Sequence, residues 1–333
     1  MSKKKVYRAA VVGCGTIGAN ESIYSKSVRP GTHAGAYFNN TRTNLVALVD
    51  SDKQRLKEMS KFYPGVKLYS DLKRMLSENT LDIVSIATPT KFHPHHVDQV
   101  ARHRMSVIFC EKPIAYDLAE ARKMIAVCRR FGCQLFINHQ RRFDPLLLKW
   151  SQQVRKGLIG KIYQADAYYY NGIINAGTHL IDLIRMFLGD PQAVAAVYNR
   201  QTTNLKKGPN VDGQIDFKQG LKVYLHSLSH NYGYFGLRLF GETGMINIDN
   251  LAFRVEFRKK IANKNFRGYY QLSERAIIEG GPRSFFAGTV QYLVDFLDGK
   301  VKASGTGEDA LAALKILIRL KASAAKKGQS LSL

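Results

Sequence analysis

Acidic side chains are scarce in this 333-residue chain: 26 Asp and Glu stand against 50 Lys and Arg, a formal net charge of +24 at pH 7. Such an imbalance raises the question of a nucleic-acid or membrane-surface partner, which requires the charge to be gathered on one element. It is not gathered. Residues 1–122 carry +8 and residues 123–333 carry +16, nearly equal per residue, and the clusters Lys3-Lys4-Lys5, Arg129-Arg130, Arg141-Arg142, Arg258-Lys259-Lys260 and Lys326-Lys327 are dispersed. Scattered clusters of this kind are solvated faces, and no nucleic-acid partner is expected. Cysteine is also sparse. Cys14, Cys110, Cys128 and Cys133 form no CxxC pair and have no zinc-type spacing, so free thiols in a reducing cytoplasm are expected. No apolar run approaches the roughly 20 residues of a membrane helix. Arg8 interrupts the short apolar stretch near the start, which argues against a secretory leader. Internal repeats and low-complexity stretches are absent. The expected location is cytoplasmic, with no membrane partner.

What remains is ordinary globular composition, 45% hydrophobic and 23% charged, in a chain long enough for one large domain or two ordinary ones. A β-rich run from Val6 to Val12 leads directly into Gly13-Cys14-Gly15-Thr16-Ile17-Gly18. In a GxGxxG after a strand, the first glycine makes the turn and the second lets backbone approach a pyrophosphate. The third allows close strand–helix packing. A second strand, Leu45–Val49, ends in Asp50, where a carboxylate takes the ribose hydroxyls of NAD and repels a 2′-phosphate. NAD is therefore the expected cofactor. Lys53, Arg55 and Lys57 follow closely and leave NADP as the alternative. Gly18 to Asp50 is longer than the usual spacing of about 20 residues. The surplus fits a polar insertion, Asn20 to Gly31, that interrupts the glycine-loop helix; a lid or substrate loop and a plain surface excursion both remain open.

Strands at 81–87, 106–110 and 134–138 alternate with helices at 94–103 and 117–131, implying a doubly wound parallel sheet. From about residue 161 a strand and a helix (176–187) lead into a run of strands separated by turns, with two helices near 284–298 and 307–327. The expected fold is α/β: a Rossmann domain over 1–122, then an α+β domain over 123–333 with an open, mainly antiparallel sheet. The last helix is free to pack back on the first domain.

Chemistry-bearing residues fall at strand ends. Glu111-Lys112-Pro113 follows the 106–110 strand, and Thr88-Pro89-Thr90-Lys91-Phe92-His93 follows the 81–87 strand. Ligands of open parallel sheets bind beyond these ends. Farther on, Asn175, His179 and Asp182 recur at helical spacing. GCGTIG, TPTKFH, EKP, QRRFDP (Gln140 to Pro145) and GTHLID (Gly177 to Asp182), in this order, resemble the Gfo/Idh/MocA oxidoreductase family over nearly the whole chain.

That resemblance implies catalytic roles for Lys112 and His179 and a cofactor site from Gly13, Gly15, Thr16, Ile17, Gly18, Asp50, Thr88, Pro89, His93, Glu111 and Lys112. The substrate site would be Lys112, Arg142, Asn175, Thr178 and His179. It also implies hydride transfer between nicotinamide and a carbinol or keto carbon of a sugar, and a homodimer or homotetramer through the C-terminal sheet. His179 would take the hydroxyl proton and Lys112 would hydrogen-bond the same oxygen. Many relatives carry an aspartate where this chain has Asn175. An amide accepts no proton, which weakens a cyclitol-dehydrogenase reading and favours sugars and nucleotide-linked (UDP-type) sugars. A non-catalytic NAD-binding sensor of the same fold is the contrasting function. Asp182 either orients His179 or serves packing. His93, His95 and His96 lack a carboxylate or Cys partner, so no metal is expected. Tyr168 and Tyr170 share a strand face opposite Tyr169, and they, with His230, Tyr232 and Tyr234, are open to packing or sugar contact.

Overall fold

The computed structural model describes residues 4–203 and 208–333; Lys3 of the first basic cluster lies outside them. The chain forms two compact units, residues 1–144 with 282–311, and residues 145–281 with 312–333. The expected cut at 122/123 falls inside a helix, Leu118–Phe131, and is corrected. Asp117 caps that helix by accepting from the Ala119 and Glu120 N–H groups, and Gly132 ends it with φ of 72°. The chain then returns as one more parallel strand of the same sheet.

The first unit runs β1 (Tyr7–Val12), α1 (His33–Asn39), β2 (Thr43–Val49), α2 (Lys53–Met59), β3 (Lys67–Tyr69), α3 (Leu72–Glu78), β4 (Ile83–Ile86), α4 (His93–Ala101), β5 (Val107–Cys110), α5 (Leu118–Phe131) and β6 (Gln134–Ile137). Its six strands are parallel in the order β3-β2-β1-β4-β5-β6. β4 and β5 are buried at every position, as strands covered on both faces must be. The order reverses between β1 and β4, and a crevice opens beyond the carboxyl ends there.

The second unit begins with α6 (Pro145–Arg155), β7 (Ile162–Tyr170) and α7 (Thr178–Leu188). Strands β8 (Ala193–Tyr198), β9 (Val211–Asp216), β10 (Lys222–Leu228), β11 (Gly236–Gly241), β12 (Gly244–Asp249), β13 (Arg254–Ala262), β14 (Tyr270–Leu272) and β15 (Ile277–Gly280) follow. After α8 (Phe285–Leu297), which belongs to the first unit, come α9 (Gly307–Ala325) and β16 (Leu331–Ser332). The sheet order is β14-β13-β12-β11-β7-β10-β9-β8-β16, with β15 beside β13. Every pairing is antiparallel except β7 with β10. Trp150, Tyr169, Phe187 and Phe235 are among the buried side chains that join its helices to the inner sheet face. Tyr169 is core, its hydroxyl donating to the Val211 carbonyl at 2.8 Å. Tyr168 instead stacks on His226 at 4.9 Å, and His230 and Tyr232 are exposed.

All four cysteines are buried and unpaired. No helix among the described residues is long and apolar enough to cross a membrane.

Candidate active site

The glycine turn is built by contact rather than by helix propensity. Gly13 takes φ of +93°, and a Cβ there would stand 2.7 Å from the Ala87 carbonyl oxygen. A Cβ on Gly18 would collide with the Gly13 carbonyl, whereas one on Gly15 would meet no protein atom within 4 Å. Gly15 thus faces open space at the strand end, the place a pyrophosphate needs.

The helix after this turn is interrupted in register. His33 N–H donates to the Ile17 carbonyl (3.2 Å) and Ala34 N–H to that of Gly18 (2.9 Å), each sixteen residues back instead of four. Twelve residues, 20–31, are thereby extruded from an otherwise continuous helical register.

Around the turn lies a cavity of about 1010 Å³, near the upper end of the range of small-molecule sites, about 300–1,000 Å³. Gly13, Gly15, Thr16 and Ile17 line it, as do Asp50, Thr88 and Pro89. Asp50 is buried, and its carboxylate accepts from the Cys14 N–H (2.8 Å), the Asp52 N–H (2.9 Å) and the Arg55 guanidinium (3.2 Å). Arg55 lines the cavity beside it, while Lys53 and Lys57 do not.

Two residues expected at the cofactor are bonded within the protein. His93 is wholly buried, its ring nitrogens beside the carbonyls of Thr88 (2.9 Å) and Pro113 (3.1 Å); it braces the two strand-end loops instead of lining the cavity. Glu111 turns inward. Its carboxylate accepts from Asn138 Nδ2 (2.5 Å) and the Lys112 N–H (3.2 Å), and lies 3.0 Å from His33 Nε2. These neighbours hold its carboxyl below the usual range against the opposing effect of burial. His33 Nδ1 in turn lies 3.0 Å from Ser85 Oγ, which lies 2.9 Å from the Tyr37 hydroxyl. Burial lowers the Lys112 pKa; the Glu111 carboxylate opposes this and Arg141 adds to it.

The sequence pattern misses His95 and His96, which line the cavity where His93 was expected. They sit two and three residues after His93, within one turn of α4, so helical phase alone distinguishes them from His93. Burial, then the neighbouring His95 and His93, push the His96 pKa down to about 4, and its Nδ1 lies 3.0 Å from Thr88 Oγ1.

Two family profiles match the chain: one described as an oxidoreductase family with an NAD-binding Rossmann fold over residues 7–139, and the Gfo/Idh/MocA C-terminal domain over residues 164–247. The chain belongs to the Gfo/Idh/MocA oxidoreductase family. It is 29% identical over 213 residues to a D-apiose dehydrogenase of Paraburkholderia graminis, covering 59% of this chain and 53% of that protein. It is 27% identical over 267 residues to a myo-inositol 2-dehydrogenase of Thermotoga maritima, covering 73% and 75%. The chain thus matches about half the length of the first relative. Among solved structures, the WlbA dehydrogenase of Bordetella pertussis, crystallised with NADH and UDP-GlcNAcA, superposes with a TM-score of 0.75 at 20% identity over 99% of each chain.

In this family member the remaining expected residues are placed as follows. Arg142 is buried in a short turn (Gln140–Phe143) of the first unit, 3.8 Å from Asp309. In the second unit, Asn175 lies in a π-helical turn, Gly172–Gly177, opened by Asn171 with φ of 64°. Thr178 and His179 begin α7 directly after it, and Asp182 is buried one turn on. The expected single helix from 176 is therefore a π turn joined to an α-helix, a junction frequent at functional sites.

Proposed function

We propose that this chain is an NAD-dependent dehydrogenase acting on a CH–OH group of a sugar or cyclitol. The observation that carries this reading is the Asp50 carboxylate in a Gly15-opened crevice, with Lys112 at the end of β5 in the same unit. The glycine turn would hold the pyrophosphate and Asp50 the adenosine ribose. Bound NAD would supply the hydride acceptor. Lys112 would hold the oxygen of the carbon being oxidised, its pKa lowered by burial toward a range useful for proton transfer. His179 is the second acid–base candidate, with Asn175 and Thr178 as substrate contacts. Relatives named for D-apiose and myo-inositol support the sugar or cyclitol class.

A nucleotide-linked sugar is the narrower reading, favoured by the amide at Asn175 and by a net charge of +24 that attracts anions. Large apolar side chains on the second unit's sheet, including Tyr270, Ile277 and Ile278, stand exposed and favour a homo-oligomer through that sheet. The test is NADH formation from NAD with free sugars, cyclitols and UDP-sugars. Lys112→Ala should abolish turnover and leave NAD affinity largely intact. NAD binding without turnover on any compound would favour the sensor function, and normal turnover in Lys112→Ala would remove the lysine from the mechanism.

A further inference from the structure

The extruded segment 20–31 is fastened at every turn. The buried Glu21 carboxylate accepts from the Gly31 N–H (3.0 Å), the Thr32 N–H (2.9 Å) and the Thr32 hydroxyl (2.6 Å), closing the loop at its neck. Arg29 Nε donates to the Tyr24 carbonyl (2.8 Å), and Ser284 Oγ donates to the Pro30 carbonyl (2.5 Å). A segment so tied serves as a fixed wall; a lid would need to open.

One side chain of that wall is placed for chemistry. The Tyr24 ring lies flat against Gly31, so close that any Cβ there would overlap the ring atoms. Gly31 is two residues from His33, whose imidazole reaches the Glu111 carboxylate beside Lys112. The Glu111 carboxylate next to Lys112 is also close enough to act on the Tyr24 hydroxyl, which puts the ring on the Lys112 side of the first unit. It is half-buried, yet its hydroxyl makes no hydrogen bond to any described residue. The other polar groups of the loop's closure bond within the protein, and this hydroxyl is left available to a ligand or to water.

We propose that Tyr24 is a substrate-binding residue, donating a hydrogen bond from its phenol to a hydroxyl of a polyhydroxylated substrate held at the Lys112 end of β5. The proposal rests on the dehydrogenase reading above and assigns the extruded segment its role: it delivers a specificity contact. Burial, followed by the carboxylates of Glu111 and Glu21, pushes the Tyr24 pKa up to about 12, so the phenol remains a donor at every working pH. A donor suits a sugar or cyclitol hydroxyl, which accepts through either lone pair.

The experiment compares wild type with Tyr24→Phe, which keeps the ring on Gly31 and removes only the hydroxyl. Steady-state oxidation of myo-inositol, D-apiose and UDP-glucose is measured with saturating NAD, alongside NADH affinity by fluorescence and the thermal midpoint. Losing one neutral hydrogen bond should raise KM for the oxidised compound about three- to tenfold, with kcat little changed. NADH affinity and thermal midpoint should stay at wild-type values. An unchanged KM overturns the proposal, as does a loss of NADH affinity, which would place the hydroxyl on the cofactor. Wild type inactive on all three compounds would instead overturn the dehydrogenase reading for these substrates, and the Tyr24 assignment would fall with it.

Discussion

Glu111 Oε1 lies 3.0 Å from Nε2 of His33, although 78 positions separate them in the chain. This pair anchors the backbone from which Lys112 projects, because the other carboxylate oxygen accepts the Lys112 N–H. The same carboxylate also raises the Lys112 pKa against the lowering effect of burial. Glu111→Gln keeps the shape and an acceptor oxygen but removes the charge. The proton of Lys112 should then be lost at lower pH, and the limb of the kcat/KM profile governed by Lys112 should move down with it. A profile superimposable on wild type would show that Lys112 does not govern that limb.

The glycine turn separates fold from function by position. Gly18→Ala places a methyl group against the Gly13 carbonyl and should destabilise the chain by roughly 3 kcal/mol or more, as overpacking at a strand–helix contact does. Gly15→Ala meets no protein atom, so the fold should tolerate it while the methyl enters the cofactor's space. Urea unfolding and NADH titration of both variants check this: stability lost in the first, affinity lost in the second. Equal NADH affinity in Gly15→Ala and wild type would remove the turn from the cofactor site.

These local features were legible because each is written within a short stretch of chain. GCGTIG after Val6–Val12, Asp50 after Leu45–Val49 and the surplus at 20–31 all follow from spacing, and the parallel sheet follows from apolar strands alternating with helices. Non-local closure was not legible. Nothing near residue 122 signals that β6 will add to the first sheet, or that residues 282–311 return to the same unit. The inward turn of Glu111 depends on His33 and Asn138, remote in sequence, so a strand-end carboxylate read in isolation points toward the cofactor. The exchange of His93 for His95 and His96 is a matter of helical phase, which depends on where α4 begins.

His96 predicts a pH effect on stability. Its folded-state pKa lies at about 4, depressed by burial and by the histidines beside it, against an ordinary value near 6.5. Above 6.5 the ring is neutral in both folded and unfolded chains. As pH falls from 6.5 toward 4 the unfolded chain takes up a proton that the folded one refuses, so stability is lost across that window. His96→Asn removes this contribution and should lose less stability than wild type between pH 7 and pH 4.5. Urea midpoints at the two pH values measure it, and parallel losses in both proteins would refute it.

Cofactor preference turns on Asp50 and Arg55 together. The carboxylate is held by the Cys14 and Asp52 N–H groups and faces the cavity, where its charge would repel a 2′-phosphate. Arg55 is paired with Asp50 at 3.2 Å and with Asp52 at 3.4 Å, so its cationic group is present at the site but committed. Asp50→Ser should act twice: it removes the charged acceptor for the ribose hydroxyls and takes away one of the guanidinium's two carboxylate partners, leaving only the more exposed Asp52. Hydrogen bonds to a charged group contribute about 1.5–3 kcal/mol, so NAD affinity should fall tenfold or more. NADP affinity should rise in the same variant, and the double change Asp50→Ser with Arg55→Ala should lose that gain. Equilibrium titration with both cofactors decides the matter. A fall in affinity for both alike in Asp50→Ser would show the carboxylate to be a brace for the Cys14 turn, with no part in choosing between them.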